Sequence, residues 1–415
     1  MKSKFKKVKW SKNANIYELN IRQFSQEGTI KAAAKELPRL KDLGIDIIWL
    51  MPLNPIGKKN RKGSLGSYYA ISNYKKVNPE FGTESDLKTF VKKAHELGMY
   101  VIVDWVANHT AWDHHWVKEH PEYYLKNKEG QIHAYTLNSE HGVETWDDVV
   151  GLDYSNKKLW VEMIDALDYW VKKVDLDGYR CDVAGLLPIE FWVRARHHLE
   201  KRKKVFMLAE WATPQMHQAF DMTYDWAFNY LMQDIAQGKK DVLDIKKYFT
   251  KRRKEYETDN YLMQFVSNHD RNSWNYDDVS MFGKALKANF VLTYIIDGMP
   301  LIYSGQESLL DKKYAFFEKD TIQWRNYEYA PFLKKLNQLR HKEKALWSGD
   351  FGGLLKISDA TTKTLFVASK SKDKSKVEVW INFANKSQKV KVKSKTLLLE
   401  PYGYYILANN KVVEI

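Results

Sequence analysis

A single cysteine, Cys181, in 415 residues excludes an intramolecular disulfide and a cysteine-rich metal site. It also fits a reducing compartment. No apolar run approaches the length of a membrane span, which takes about 20 consecutive apolar residues. The first residues, Met1 to Lys7, carry charge with no apolar segment behind them, so they do not read as a signal peptide. As given, the chain reads as cytoplasmic, and a processed exported form would read the same. His109 and His269 do not fall into the His-x-His or multi-histidine sets that a metal-dependent hydrolase prefers. No internal repeat stands out beyond an alternation of strand and helix patterns.

What is present points to a large globular protein. The length fits one α/β barrel with additions, or two to three ordinary domains. Aromatic residues make up 14%, a high share, and flat amphipathic rings suit stacking on sugars or bases while most serve as core. The net charge of +14 raises nucleic acid and acidic membranes as partners. The lysines are scattered, however. The clusters Lys201 to Lys204 and Lys251 to Lys254 fall at helix-to-loop positions and read as solvated faces, so neither partner is expected.

The alternation runs as follows. Asn15 to Leu19 reads as a first strand, and Thr29 caps a helix that Pro38 kinks or restarts. Continuous apolar runs at Ile45 to Leu50, Met99 to Asp104 and Val205 to Glu210 mark strands buried on both faces of a parallel sheet. Between the first two, Thr83 and Asp86 form a capping box for a helix over Leu87 to Leu97. From Trp105 to about Val150 the periodicity disappears, too long a stretch for an ordinary loop, which predicts an inserted domain. Further strands are predicted at Leu176 to Cys181, Phe220 to Trp226, Leu262 to Asp270 and Met299 to Tyr303. The count is eight strand-helix units, the number of a (β/α)8 TIM barrel, with a doubly wound open sheet as the alternative. Short strands near Leu365, Val377, Val390 and Tyr404 predict a C-terminal all-β sandwich. The expected division is barrel over 1–104 and 151–344, inserted domain over 105–150 and β-sandwich over 345–415.

Four of these strands end in polar groups: Asp104 with Asn108 and His109, Arg180 with Asp182, Glu210, and His269 with Asp270. A barrel gathers its C-terminal strand ends on one face, where such folds place their chemistry. Charges are costly to bring together unless something uses them. Paired carboxylates flanking a bond are what glycoside hydrolysis needs, one as acid and one as nucleophile.

The residues that carry this pattern resemble the α-amylase family, glycoside hydrolase family 13. The motifs are Asp104-Trp105-Val106-Ala107-Asn108-His109, Gly178-Tyr179-Arg180-Cys181-Asp182, Glu210 in Leu208-Ala209-Glu210-Trp211, and Phe265-Val266-Ser267-Asn268-His269-Asp270. Gly298 to Glu307 resembles the family's eighth-strand signature. The resemblance implies Asp182 as nucleophile, Glu210 as acid and base, and Asp270 holding sugar hydroxyls. It also implies substrate contacts from Tyr69, His109, Arg180 and His269. The implied reaction is retaining cleavage of α-1,4-glucosidic bonds in starch, glycogen or maltooligosaccharides, with an α-glucosidase or glucan transglycosylase as the alternative. The two carboxyl groups should then stand about 5–5.5 Å apart. No cofactor is implied for the chemistry. A structural calcium is implied at Asn108, which a turn-closing asparagine explains equally well; Asp104 is expected to support Arg180. Where many α-amylases carry a Lys-His pair after the nucleophile, this chain has Gly185-Leu186, which alters the leaving-group side. Trp211 is open to two readings, subsite platform or packed aromatic. No additional N-terminal β domain of the kind in dimeric cyclodextrin-degrading relatives is expected, and the sequence sets no oligomeric state.

Overall fold

The computed structural model describes residues 5–139 and 142–415, so the reading of residues 1–4 lies outside it. Among the described residues, eight parallel strands close a barrel in which each strand pairs with its sequence neighbours. They are β1 (Ile16–Leu19), β2 (Ile47–Leu50), β3 (Tyr100–Trp105), β4 (Gly178–Cys181), β5 (Phe206–Ala209), β6 (Met222–Tyr224), β7 (Tyr261–Gln264) and β8 (Met299–Tyr303). The last closes on the first, with Ile16 opposite Leu301. The open-sheet alternative is thereby excluded.

Alternation along the strands decides what points where. Ile16, Ile47, Trp49, Ile102, Phe206, Leu208 and Met299 face one another inside the barrel. Ile48, Leu50, Val101, Val103, Tyr179 and Met207 face outward and pack against the helices in the larger core. Extending the inward row by one step on each strand gives Glu18, Asp104, Arg180 and Glu210, and one further step on β4 gives Asp182. The pairing of Asp104 with Arg180 and of Arg180 with Leu208 keeps those side chains level. The apolar interior therefore ends upward in a ring of charges.

Gly178 starts β4 on the inward row. A Cβ built there would lie 1.8 Å from the Phe206 carbonyl oxygen of the neighbouring strand. Backbone cannot retreat as a side chain can, so Gly178→Ala should destabilise the fold by about 3 kcal/mol, the upper range for overpacking. Urea unfolding checks this, and an unchanged midpoint would contradict it.

The helix after the first strand restarts at Pro38, as Ile30–Lys35 and then Leu37–Leu43. The helix Glu84–Glu96 carries the capping box between Thr83 and Asp86. Two expectations need correction. The segment before His269 and Asp270 is not strand throughout: β7 stops at Gln264, and His269-Asp270 open a helical turn that continues as a π-helix over Arg271–Asn275. Arg252 is not on a solvated face either. It is buried and lies 3.4 Å from Asp225, because the helix Leu243–Glu255 turns that position toward the barrel.

Between β3 and the helix Lys157–Val174 lies a three-stranded antiparallel sheet of His109–Ala111, Gly142–Gly151 and Ala134–Ser139. His109 pairs with Gly151 at the edge of this sheet nearest β3 in sequence. At the C-terminal end a five-stranded antiparallel sheet, Lys356–Ile357 to Lys411–Val412, is accompanied by a two-stranded sheet of Gln388–Val392 and Lys395–Leu399. A separate apolar cluster that includes Leu365, Trp380, Val390 and Leu399 joins the two sheets. No helix among the described residues is long and apolar enough to cross a membrane.

Candidate active site

Arg180 is fully buried and organises the charges around it. Its Nη1 donates to Asp104 Oδ1 and Asp182 Oδ1, each at 2.9 Å, and its Nε donates to the Tyr224 hydroxyl at 3.1 Å. Its Nη2 lies 2.9 Å from Glu210 Oε2, an ion pair whose N–H is not aligned for a directed hydrogen bond. The backbone N–H of Val183 fills that role, donating to the same Glu210 oxygen at 2.9 Å. One guanidinium thus holds three carboxylates from β3, β4 and β5.

A second group forms from the opposite half of the barrel. His269 lies between Glu18, 2.5 Å from its Nδ1, and Asp270, 3.3 Å from its Nε2. The Tyr69 hydroxyl is 2.8 Å from the same Nε2 and donates to Asp104 Oδ2 at 3.1 Å, joining the two groups. Trp49 Nε1 also donates to Asp104 Oδ2, at 3.2 Å. Above these residues opens a cleft of about 440 Å3 lined by Tyr69, His109, Asp182, Glu210, His269 and Asp270. Arg180, fully buried, lies beneath these residues and does not line the cleft, so the substrate contact expected of it is indirect, through Asp182 and Glu210. Of the two adjacent tyrosines, Tyr69 lines the cleft, whereas Tyr68 is buried with the Arg22 guanidinium 4.2 Å from its ring centre.

The carboxylates do not share one affinity for protons. Burial pushes the Glu210 carboxyl up to about 8 against the pull of Arg180, and the charges of Asp182 and Asp270 add to the push. Burial also raises Asp182, to about 6, with Arg180 restraining it more directly. Asp104 is raised to about 6 by burial, again opposed by Arg180. Asp270 goes the other way: burial would raise it, but His269 beside it brings it below its ordinary value. Burial disfavours a charge on His269, and the Asp270 and Glu18 carboxylates reverse this and keep it protonated. His109 has no such partner, and burial lowers it to about 3, leaving it neutral. The site therefore favours a proton on Glu210 over Asp182, and on Asp182 over Asp270. Because Glu210 Oε2 faces two donors, the proton belongs on Oε1.

Asn108 is buried, with its amide Nδ2 3.2 Å from His109 Nδ1. Calcium takes six to eight oxygen ligands, usually with carboxylates among them. Backbone and asparagine carbonyls also serve; among the described residues no three His, Cys, Asp or Glu side chains form a metal-holding group, so any calcium at Asn108 would rest on such carbonyl oxygens. At the altered position downstream of Asp182, a Cβ on Gly185 would fall 2.2 Å from the indole of Trp211. The half-buried Trp211 ring therefore lies directly on the Gly185 backbone, in space that a side chain there would occupy.

Glu18 is the site residue that sequence reasoning passed over. A carboxylate within Ile16–Leu19, a strand buried at every position, was the available signal. Trp274, Phe316 and Phe317 also line the cleft, from segments without periodicity.

The family model described as the alpha-amylase catalytic domain matches residues 5–396. Among solved structures, an alpha-amylase from Lactobacillus plantarum superposes with a TM-score of 0.86 at 31% identity, over 96% of this chain and 99% of that one. A maltogenic alpha-amylase, AmyB, from Thermotoga neapolitana gives 0.81 at 30% identity, over 97% of each chain. An alpha-1,4-glucan:maltose-1-phosphate maltosyltransferase of Arcanobacterium haemolyticum is 28% identical over 77% of this chain and 49% of its own length. Alpha-amylase 2 of Dictyoglomus thermophilum is 25% identical over 82% of this chain and 65% of its own length. The chain thus spans about half to two thirds of those two curated relatives.

Proposed function

This chain belongs to the alpha-amylase family, and we propose that it hydrolyses α-1,4-glucosidic bonds in α-glucans or maltooligosaccharides with retention of anomeric configuration. The observation that carries the proposal is the arrangement around Arg180: the Asp182 and Glu210 carboxyls, both lining the cleft, sit on one guanidinium, and burial raises Glu210 further than Asp182. Separating the affinities of paired carboxyls is how one site supplies both an acid and a nucleophile.

In this reading Asp182 attacks the anomeric carbon while Glu210 gives its proton to the departing glycosidic oxygen. A covalent glycosyl-enzyme forms at Asp182. Glu210, now ionised, takes a proton from water, which displaces Asp182 and restores both groups. Arg180 stays charged throughout and disperses the negative charge that moves between the two carboxylates. Ionised Asp270 and protonated His269 bond the hydroxyls of the sugar being transferred, neutral His109 bonds it from the inserted sheet, and Tyr69 supports its ring. Asp104 positions Arg180 and Tyr69 without touching substrate. Every step uses side chains of the chain itself.

Transglycosylation is the second reading, favoured by one observation. Trp211 packs on Gly185, three residues past Asp182, an apolar contact beside the nucleophile's loop that would suit an acceptor sugar better than water. Incubation with maltoheptaose, followed by chromatography and by proton NMR of the newborn reducing ends, separates the readings. Hydrolysis gives shorter products born as the α-anomer. Products longer than the input would move the assignment to transglycosylation, glucose as sole product to an α-glucosidase, and a β-anomer would overturn the retaining mechanism.

A further inference from the structure

The seven residues anticipated for the site account for one sugar ring, yet the cleft continues past them. Its extension is aromatic. The Phe316 ring runs parallel to Tyr69, 10° apart with centroids 6.2 Å distant. Trp274 lies 5.1 Å from Phe316 and 5.6 Å from Phe317, and the two phenylalanines are 5.3 Å apart. Trp274 is 52% exposed, an unusual state for so large a ring, and it lines the same cleft as Asp270. A bare aromatic patch of this kind marks a binding surface more often than it marks spare core. Lys62 and Ser67 stand on the cleft wall beside it, and a surface of flat rings edged by polar groups matches a sugar, which has apolar C–H faces and a rim of hydroxyls.

Barrel topology tells which half of the substrate this surface meets. Trp274 follows β7, Phe316 and Phe317 follow β8, and Lys62 to Tyr69 follow β2. Strands β7, β8, β1 and β2 are consecutive around the barrel, and β4 and β5, which carry Asp182 and Glu210, close the other half. The leaving group must be near Glu210, which protonates it. The aromatic wall stands across the site from Glu210 and is joined through Phe316 to Tyr69, beneath the transferred sugar.

We propose that Trp274, with Phe316 and Phe317, binds the glycone side of a linear α-glucan, holding the glucose units beyond the one at Tyr69, and so sets a preference for chains over single glucosides. This rests on the glucan reading of the site. It makes Trp274 a specificity residue of the chain's own, outside the charged machinery.

The test compares kcat/KM for maltoheptaose with kcat/KM for 4-nitrophenyl α-glucoside, which has one glucose on the glycone side, in the parent protein, Trp274→Ala and Trp274→Phe. Loss of an aromatic anchor should lower the maltoheptaose-to-glucoside ratio about tenfold in Trp274→Ala, and Trp274→Phe should recover most of it. An equal loss on both substrates would mean that Trp274 only props Asp270, and no loss on either would mean that it touches no sugar; either overturns the proposal. If the parent protein turns over neither substrate, the hydrolytic reading fails. Calorimetric titration of maltoheptaose into Asp182→Asn, with and without Trp274→Ala, then decides this proposal separately: an affinity about tenfold weaker supports it, and equal affinity overturns it.

Discussion

Asp182→Asn should lower kcat on maltoheptaose by at least about 10,000-fold, the scale seen when a nucleophile is removed from a covalent mechanism. Asparagine keeps the shape of the side chain and can still face Arg180, but it cannot form the glycosyl ester. The effect should fall on kcat and leave the fold intact. Arg180 keeps the Asp104 carboxylate and the Glu210 carboxyl as partners, so the guanidinium stays compensated by Asp104. The far-UV circular dichroism and thermal midpoint of the variant should therefore stay close to the parent's. A second consequence is specific to this site. The charge of Asp182 is part of what raises Glu210, so its removal should lower the Glu210 carboxyl from its raised value. Carbon-13 NMR of labelled glutamate reads that shift. Hydrolysis within tenfold of the parent rate would overturn the assignment of Asp182.

Glu210→Gln should reduce kcat on the same substrate by about 100- to 10,000-fold, the usual contribution of a positioned general acid. The loss should shrink on 4-nitrophenyl α-glucoside, whose leaving group departs without a proton. The pH profile gives the sharper signature. In the parent protein Asp182 must be ionised, so activity rises as pH increases through about 6. Glu210 must be protonated, so activity falls as pH increases through about 8. The result is a bell whose two limbs belong to a coupled pair. Glutamine cannot titrate, so the variant should keep the acid limb and lose the alkaline one. An alkaline limb that persists would assign it to another group and sink the acid role of Glu210.

The barrel was legible because several of its strands advertise burial on both faces. Ile47 to Leu50 and Val205 to Ala209 are unbroken apolar runs, which together with the strand-helix alternation point to a parallel sheet. The charges were legible because each stands where an apolar run stops. What escaped is what depends on partners far away in sequence. Glu18 sits inside a strand of only four residues, and its meaning comes from His269, 251 positions later. Arg252 lies in a run of basic residues that reads as solvent-facing until Asp225 is placed beneath it. His269 and Asp270 were assigned to strand because the apolar pattern continues past Gln264, whereas the backbone turns away there to bring both side chains over the cleft. Trp274, Phe316 and Phe317 lie in segments without period, and aromatic composition alone could not separate a sugar surface from core.

The lone cysteine offers a clock for the opening of the barrel's outer layer. Cys181 ends β4 between Arg180 and Asp182, its side chain is fully buried, and burial holds its thiol well above the ordinary value. Reaction with a thiol reagent needs both access and a thiolate. Its side chain points outward, into the core between the barrel and its helices, so neither is present until that packing opens. The labelling rate of native protein should therefore measure excursions in which the helices lift from the outer face of β4, with no competing cysteine to confuse the signal. A bound oligosaccharide, which stabilises only the folded barrel, should slow that labelling where the opening also disrupts the site.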